Sequence, residues 1–151
     1  MIQVQENDFD VDALYKGLLK ANKTGAVAMF VGLVRQFSDL PKDACSFELE
    51  HYPIMTERNL QKIVDDAYER WSLLDVCVVH RIGHLTVDDQ IVFVGVSAAH
   101  RAEAFQACDF IMDYLKSRAA FWKKETQGTK SQWVEANTKD EASLERWSKE
   151  Q

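Results

Sequence analysis

Hydrophobic and polar positions change period several times along the 151-residue chain, and each change marks an element. Ile2 and Val4 alternate with polar neighbours, the period of a short strand. Val11, Leu14, Tyr15, Leu18 and Leu19 recur at helical spacing and predict a first helix over 11–20. After Gly25, the run AVAMFVGLV at 26–34 predicts a buried strand that reaches water at Arg35. Cys45, Phe47 and Leu49 alternate with Ser46, Glu48 and Glu50, as in a half-exposed strand that Pro53 ends. Leu60, Ile63, Val64, Ala67 and Trp71 then mark the inner face of a second helix. Val76 to Val79 predicts another buried strand, with turns at Gly83 and at Asp88-Asp89. The nine residues from Ile91 to Ala99 carry no charge and are rich in Val, Ile and Phe, so they predict a strand covered on both faces. Phe105, Cys108, Met112 and Leu115, widened by Ala104 and Ile111, predict a following helix of about four turns. TQGTKSQ reads as a turn, SQWVEA as a short strand, and 140–147 as a last helical turn or two. Strands and helices are interspersed, with links short enough for antiparallel neighbours, which predicts an α+β (mixed α/β) fold.

Composition narrows the picture. The length and the 46% hydrophobic content fit one domain, 1–151, with a sizeable core. A net charge of −6 argues against a protein occupied mainly with nucleic-acid backbone. The three cysteines, Cys45, Cys77 and Cys108, are odd in number and in no metal-binding spacing, so neither a disulfide frame nor a zinc site is expected. Without a basic, apolar leader or a run long enough to span a bilayer, the expected compartment is the reducing cytoplasm.

Charge placement brings in the candidate chemistry. Between Tyr114 and Lys124 stand Lys116, Arg118, Lys123 and Lys124 with no acid among them. His100 and Arg101 open the helix after the central strand, where the macrodipole disfavours a cation and unpaired N–H groups favour an anion. Each residue has a structural alternative. Lys116 pairs with Asp113 on a solvated face, His100 bonds backbone at a helix start, and Lys123 and Lys124 lie on the wet edge of a strand. His51 and Tyr52, at a strand exit, read as a satisfied structural contact. Periodicity alone leaves the function undecided.

HYPIMTERNL at 51–60, VVHRIGHL at 78–85, IVFVGVSAAHRAEAF at 91–105, FIMDYLKSRAAFWKKE at 110–125 and WVEA at 133–136 together resemble the large, catalytic subunits of molybdopterin synthase, the MoaE family. The resemblance covers roughly 24–136 and implies an α/β hammerhead fold. It implies a transferase of molybdenum cofactor biosynthesis. Sulfur passes from the C-terminal Gly-Gly thiocarboxylate of a small ubiquitin-like subunit to cyclic pyranopterin monophosphate (precursor Z), giving the molybdopterin dithiolene. Cations and proton carriers suffice for that chemistry, so no cofactor or metal is expected. A homodimer at the centre of a heterotetramer is implied, and Trp122, Trp133 and Trp147 are candidate interface anchors.

Carried over residue by residue, the family's substrate contacts fall on Leu33, Val34, Arg35, His100, Arg101, Lys116, Lys123, Lys124 and Glu125. Lys116 and Lys123 take the catalytic roles, while Arg35, His100 and Arg101 anchor phosphate and pterin. If Lys123, Arg101 and Arg35 converge on one pocket, repulsion and partial burial are expected to lower the pKa of Lys116. The chain departs from the family's pattern at Leu33, where a lysine is common, so that a contact comes from backbone. It also departs in the loop QFSDLPKDA, and at Asn137, where an arginine often follows WVEA. Two other readings stay open: a non-catalytic anion-binding or scaffold protein of the same fold, and a single-stranded nucleic-acid binder stacking bases on Phe121 and Trp122.

Overall fold

The computed structural model describes residues 1–36, 39, 41, 45–134 and 138–148. Most of the QFSDLPKDA loop, the end of WVEA and Asn137 lie outside the described residues. The elements are β1 (Ile2–Gln5), α1 (Val11–Gly17), β2 (Ala26–Leu33), β3 (Cys45–His51), α2 (Met55–Arg70), β4 (Asp75–Arg81), β5 (Gly83–Thr86), β6 (Gln90–Ala98), α3 (Arg101–Arg118), β7 (Phe121–Gln127), β8 (Lys130–Val134) and α4 (Thr138–Ser148). They form two four-stranded sheets, β1-β4-β6-β2 and β5-β3-β7-β8. Among the described residues only the β1–β4 pair is parallel.

The first sheet explains the uncharged central strand. Val92, Val94, Val96 and Ala98 pack against α2 and α3, among Leu60, Ile63, Ala104 and Ile111. Phe93 points the other way, onto Leu18, Cys77 and Val79 beneath α1. Both faces are covered although both neighbours run antiparallel, so cover by helices, and not strand direction, removes the alternation. The expected buried strand at 26–34 is corrected by its place at the sheet edge. β2 pairs with β6 alone among the described residues, and Met29, Phe30 and Leu33 are exposed.

The second sheet has a core of its own, Val34, Phe47, Leu49 and Leu85, with Phe121 and Ile91 against it. β5, read as a turn from Gly83, is a strand because it pairs with β3. β7 runs on past Glu125 to Gln127, and Gly128, at φ 62°, turns the chain into β8. Among the described residues no helix is long and apolar enough to cross a membrane.

α4 is longer than the pattern suggested, and α3 holds it. Trp147, 4% exposed, sits edge-on to Trp71 and Phe110. Its indole Nε1–H donates to Asp113 Oδ2 at 2.7 Å, and Arg146 Nε donates to the same oxygen at 3.1 Å. Trp147 is therefore core, and the expectation that it anchors an interface is corrected. Asp113→Ala should cost about 2 kcal/mol, because it strands the indole N–H beneath α4. Urea melts with an unchanged m-value would check this.

Candidate active site

α3 ends at Arg118, and Ala119 turns the chain with an extended backbone into β7. Thr56 fixes this corner. Its hydroxyl donates to Ala120 O at 2.8 Å and accepts from the Tyr52 N–H at 3.1 Å. Strand alternation then places Phe121 and Lys123 on one face of β7 and Trp122 and Lys124 on the other. Lys116, from the last turn of α3, meets Lys123 across a cavity of 310 Å³. Its remaining wall is largely apolar: Phe30 and Leu33 of β2, Leu49 of β3, Met112 and Leu115 of α3, and Phe121. Gly32 belongs to this wall, where a Cβ would meet Val92 Cγ1 at 2.7 Å.

Two ammonium groups beside apolar walls define the electrostatics. Lys123 is held below the ordinary lysine range, first by lost hydration and then by the charge of Lys116, while Asp140 and Glu125 act the other way. The residue as a whole is exposed, so solvent screens part of this effect. Lys116 has no ion-pair partner among the described residues. The expected surface pair with Asp113 does not form, because Asp113 is taken by Arg146 and Trp147.

The structure brings some of the carried-over positions together and separates others. Leu33, 54% exposed, lines the cavity. Val34 is buried in the second core, its N–H donating to Asp89 O and its carbonyl accepting from Asp88. Arg35 is exposed just beyond the strand end and is not part of the cavity wall. Lys124 lies on the opposite face with its Nζ 5.7 Å from the Trp133 ring, whereas Glu125 shares Lys123's face.

His100 and Arg101 are at the far end of α3. Arg101 and Lys116 are fifteen residues apart on one helix, about 22 Å along its axis. Convergence of Arg101 with the lysines therefore fails within one chain, since a helix is a rigid spacer between its two ends. His100 caps α3 without a side-chain hydrogen bond, so the alternative of a backbone-bonded helix-start histidine is not met either.

Sequence reasoning missed His80. It is buried on β4, lines the same cavity and stacks on Phe121 at 3.9 Å. The signal was present, as a lone polar ring in the apolar strand VCVVH. His51 and Tyr52 do form structural contacts, with Nε2 3.6 Å from Glu57 and the tyrosine ring 5.2 Å from Trp122. Phe121 and Trp122 face opposite sides of the sheet, so they make no common stacking surface for bases. A more open cleft of 540 Å³ near Arg70 and Tyr114 has both of its cations engaged: Lys62 pairs with Asp66, and Arg70 donates to Trp147 O. Cys45, Cys77 and Cys108 are buried thiols in no disulfide. No cluster of metal-ligating side chains is found among the described residues.

The MoaE protein family model matches residues 4–118. A molybdopterin synthase catalytic subunit of Ralstonia nicotianae is 52% identical over 97% of this chain and 83% of its own length. Among solved structures, the molybdopterin biosynthesis MoaE protein of Burkholderia ambifaria is 48% identical and superposes with a TM-score of 0.83, covering 97% of both chains. The molybdopterin synthase of Staphylococcus aureus is 30% identical with a TM-score of 0.80, over 87% of this chain and 95% of that one. With a matching fold, a two-lysine cavity and relatives of this identity over nearly its whole length, the chain belongs to the MoaE family of molybdopterin synthase catalytic subunits.

Proposed function

We infer that this chain, working as one domain over 1–151, is the sulfurtransferase subunit that converts cyclic pyranopterin monophosphate to molybdopterin. The observation that carries the site assignment is the meeting of Lys116 and Lys123, from different elements, in one cavity. The substrate's cyclic phosphate and the partner's thiocarboxylate are both anions, and two ammoniums beside apolar walls attract them more strongly than they would in open water. The small ubiquitin-like subunit delivers its C-terminal tail to Lys116, and Lys123 holds negative charge as the cyclic phosphate opens. A cytoplasmic setting, where Cys45, Cys77 and Cys108 stay reduced, fits this chemistry.

The chain acts as a homodimer at the centre of a heterotetramer. His100 and Arg101 are too far from Lys116 to serve the same pocket in one chain, so they belong to the pocket of the second copy. Exposed Met29, Phe30 and Leu33 on the open edge of β2 provide apolar surface for such pairing.

Reconstitution tests both points. Purified chain, thiocarboxylated small subunit and precursor Z should yield molybdopterin, read by the fluorescence of its oxidised form, and no product would sink the reading. Lys116→Ala and Arg101→Ala homodimers should each be nearly inactive. After the two are mixed and subunits exchange, about a quarter of wild-type activity should return, because one pocket of each mixed dimer is intact in a two-fold assembly. No recovery despite confirmed exchange would place Arg101 outside the shared pocket.

A further inference from the structure

The cavity wall is unbalanced in its hydrogen-bonding groups. Lys116 and Lys123 only donate, and the other lining side chains are apolar apart from His80, with the Met112 sulfur a weak acceptor at most. His80 is 5% exposed, and its ring is fixed twice. It stacks on Phe121 with 19° between the planes, and its Nδ1 lies 2.8 Å from Arg81 O. A carbonyl oxygen can only accept, so Nδ1 carries the hydrogen and Nε2 keeps the lone pair. The ring makes no other hydrogen bond among the described residues. Among the described side chains that line the cavity, Nε2 is thus the one strong acceptor. Burial above all, and then the charges of Lys123, His51 and Lys116, oppose a positive charge on this ring, which preserves that acceptor.

A pyranopterin is an N–H-bearing heterocycle attached to an anion. The ammoniums satisfy the anion, but they have no lone pair for an N–H, and a donor buried without an acceptor is strongly disfavoured. We propose that His80 Nε2 accepts a hydrogen bond from an N–H of the bound heterocycle, making His80 the residue that selects the ring while the lysines hold the charge. This rests on the reading that precursor Z occupies the Lys116–Lys123 cavity.

Calorimetry of precursor Z binding to the full chain in complex with its small subunit tests it. His80→Phe keeps the aromatic stack and removes both ring nitrogens. His80→Gln keeps an acceptor near the Nε2 position. The Phe variant should bind at least about tenfold more weakly, the loss of one such hydrogen bond, while the Gln variant should stay within about threefold of wild type. Binding by His80→Phe within about twofold of wild type, or equal losses in both variants, would overturn the proposal.

A measurement on the wild-type chain covers the case in which His80→Phe does not fold. The ¹⁵N resonance of His80 Nε2 should move toward the protonated-nitrogen range on addition of precursor Z and stay in place with inorganic phosphate. No movement with precursor Z would overturn the proposal. If Lys123→Ala leaves precursor Z binding undiminished, the underlying reading of the cavity falls, and His80's role with it. If Lys123→Ala weakens binding and His80→Phe does not, only the role of His80 falls.

Discussion

Lys116→Ala is expected to abolish molybdopterin formation, with a fall on the order of a thousandfold or more, the range set by removing a positioned proton carrier together with a charge aimed at the reacting group. Lys116 lies on the last turn of α3, faces Lys123 across the cavity and has no ion-pair partner among the described residues. It contributes little to folding, so the variant should melt within about 0.5 kcal/mol of wild type. Without precursor Z, the deprotonated Lys116 amine can attack the carbonyl carbon of the partner's thiocarboxylate. A C–N bond forms, the C–S bond breaks, hydrosulfide leaves and the nitrogen gives up a proton, leaving an amide. That slow adduct should map to Lys116 by peptide mass spectrometry, be suppressed by precursor Z and vanish in Lys116→Ala. Lys123→Ala should cut turnover while leaving the adduct possible, since Lys123 supplies charge and Lys116 the attacking nitrogen. Near-normal product from Lys116→Ala would return the residue to the solvated helix face and favour a non-catalytic anion-binding protein of the same fold.

Acid should destabilise the folded chain by about 3 kcal/mol through His80 alone between pH 6.5 and about pH 4. Burial, then the charges of Lys123 on β7, His51 on β3 and Lys116 on α3, holds the folded imidazole down from 6.5 to about 4, and the Arg81 carbonyl opposes this only in part. Above pH 6.5 the ring is neutral in both states and contributes nothing to the pH dependence. As pH falls below 6.5, the unfolded chain takes up a proton that the folded chain refuses. Stability therefore declines by about 1.4 kcal/mol per pH unit until the folded ring also protonates near pH 4. Urea unfolding of wild type and His80→Phe from pH 8 to pH 4 isolates this contribution from all others. The variant starts less stable, because Arg81 O loses its donor, but its curve should be shallower by that slope. Parallel curves would show that His80 titrates alike in both states.

Local period was enough to predict most of the elements. The uncharged run at 91–99, the helical stripe from Ala104 to Leu115 and the inner face of α2 all appear where the pattern placed them, because each is dictated by neighbours within a few residues. Motif resemblance added the family and the two lysines, since a match of residue types in order carries chemistry that periodicity does not. Pairing between distant segments decided the rest. β5 is a strand only because β3 lies beside it, β2 is half-exposed only because the sheet ends there, and Trp147 is core only because Asp113 and Phe110 wait on another helix. The same cause divides the candidate site. Lys116 and Lys123 are seven residues apart and meet because the corner held by Thr56 folds β7 back beside the end of α3, whereas Arg101, on that same helix as Lys116, is carried about 22 Å away by the rise of its turns. Nothing in residue order marks His80 as their companion, because its place in the wall depends on β4, β7 and α3 enclosing one space. Sequence by itself supplied candidates for the chemistry, since residue type sets which side chains can carry a charge or a proton; only the tertiary structure decided which of them share a cavity and in which direction their proton affinities move, since proximity between distant segments follows from packing and not from spacing along the chain.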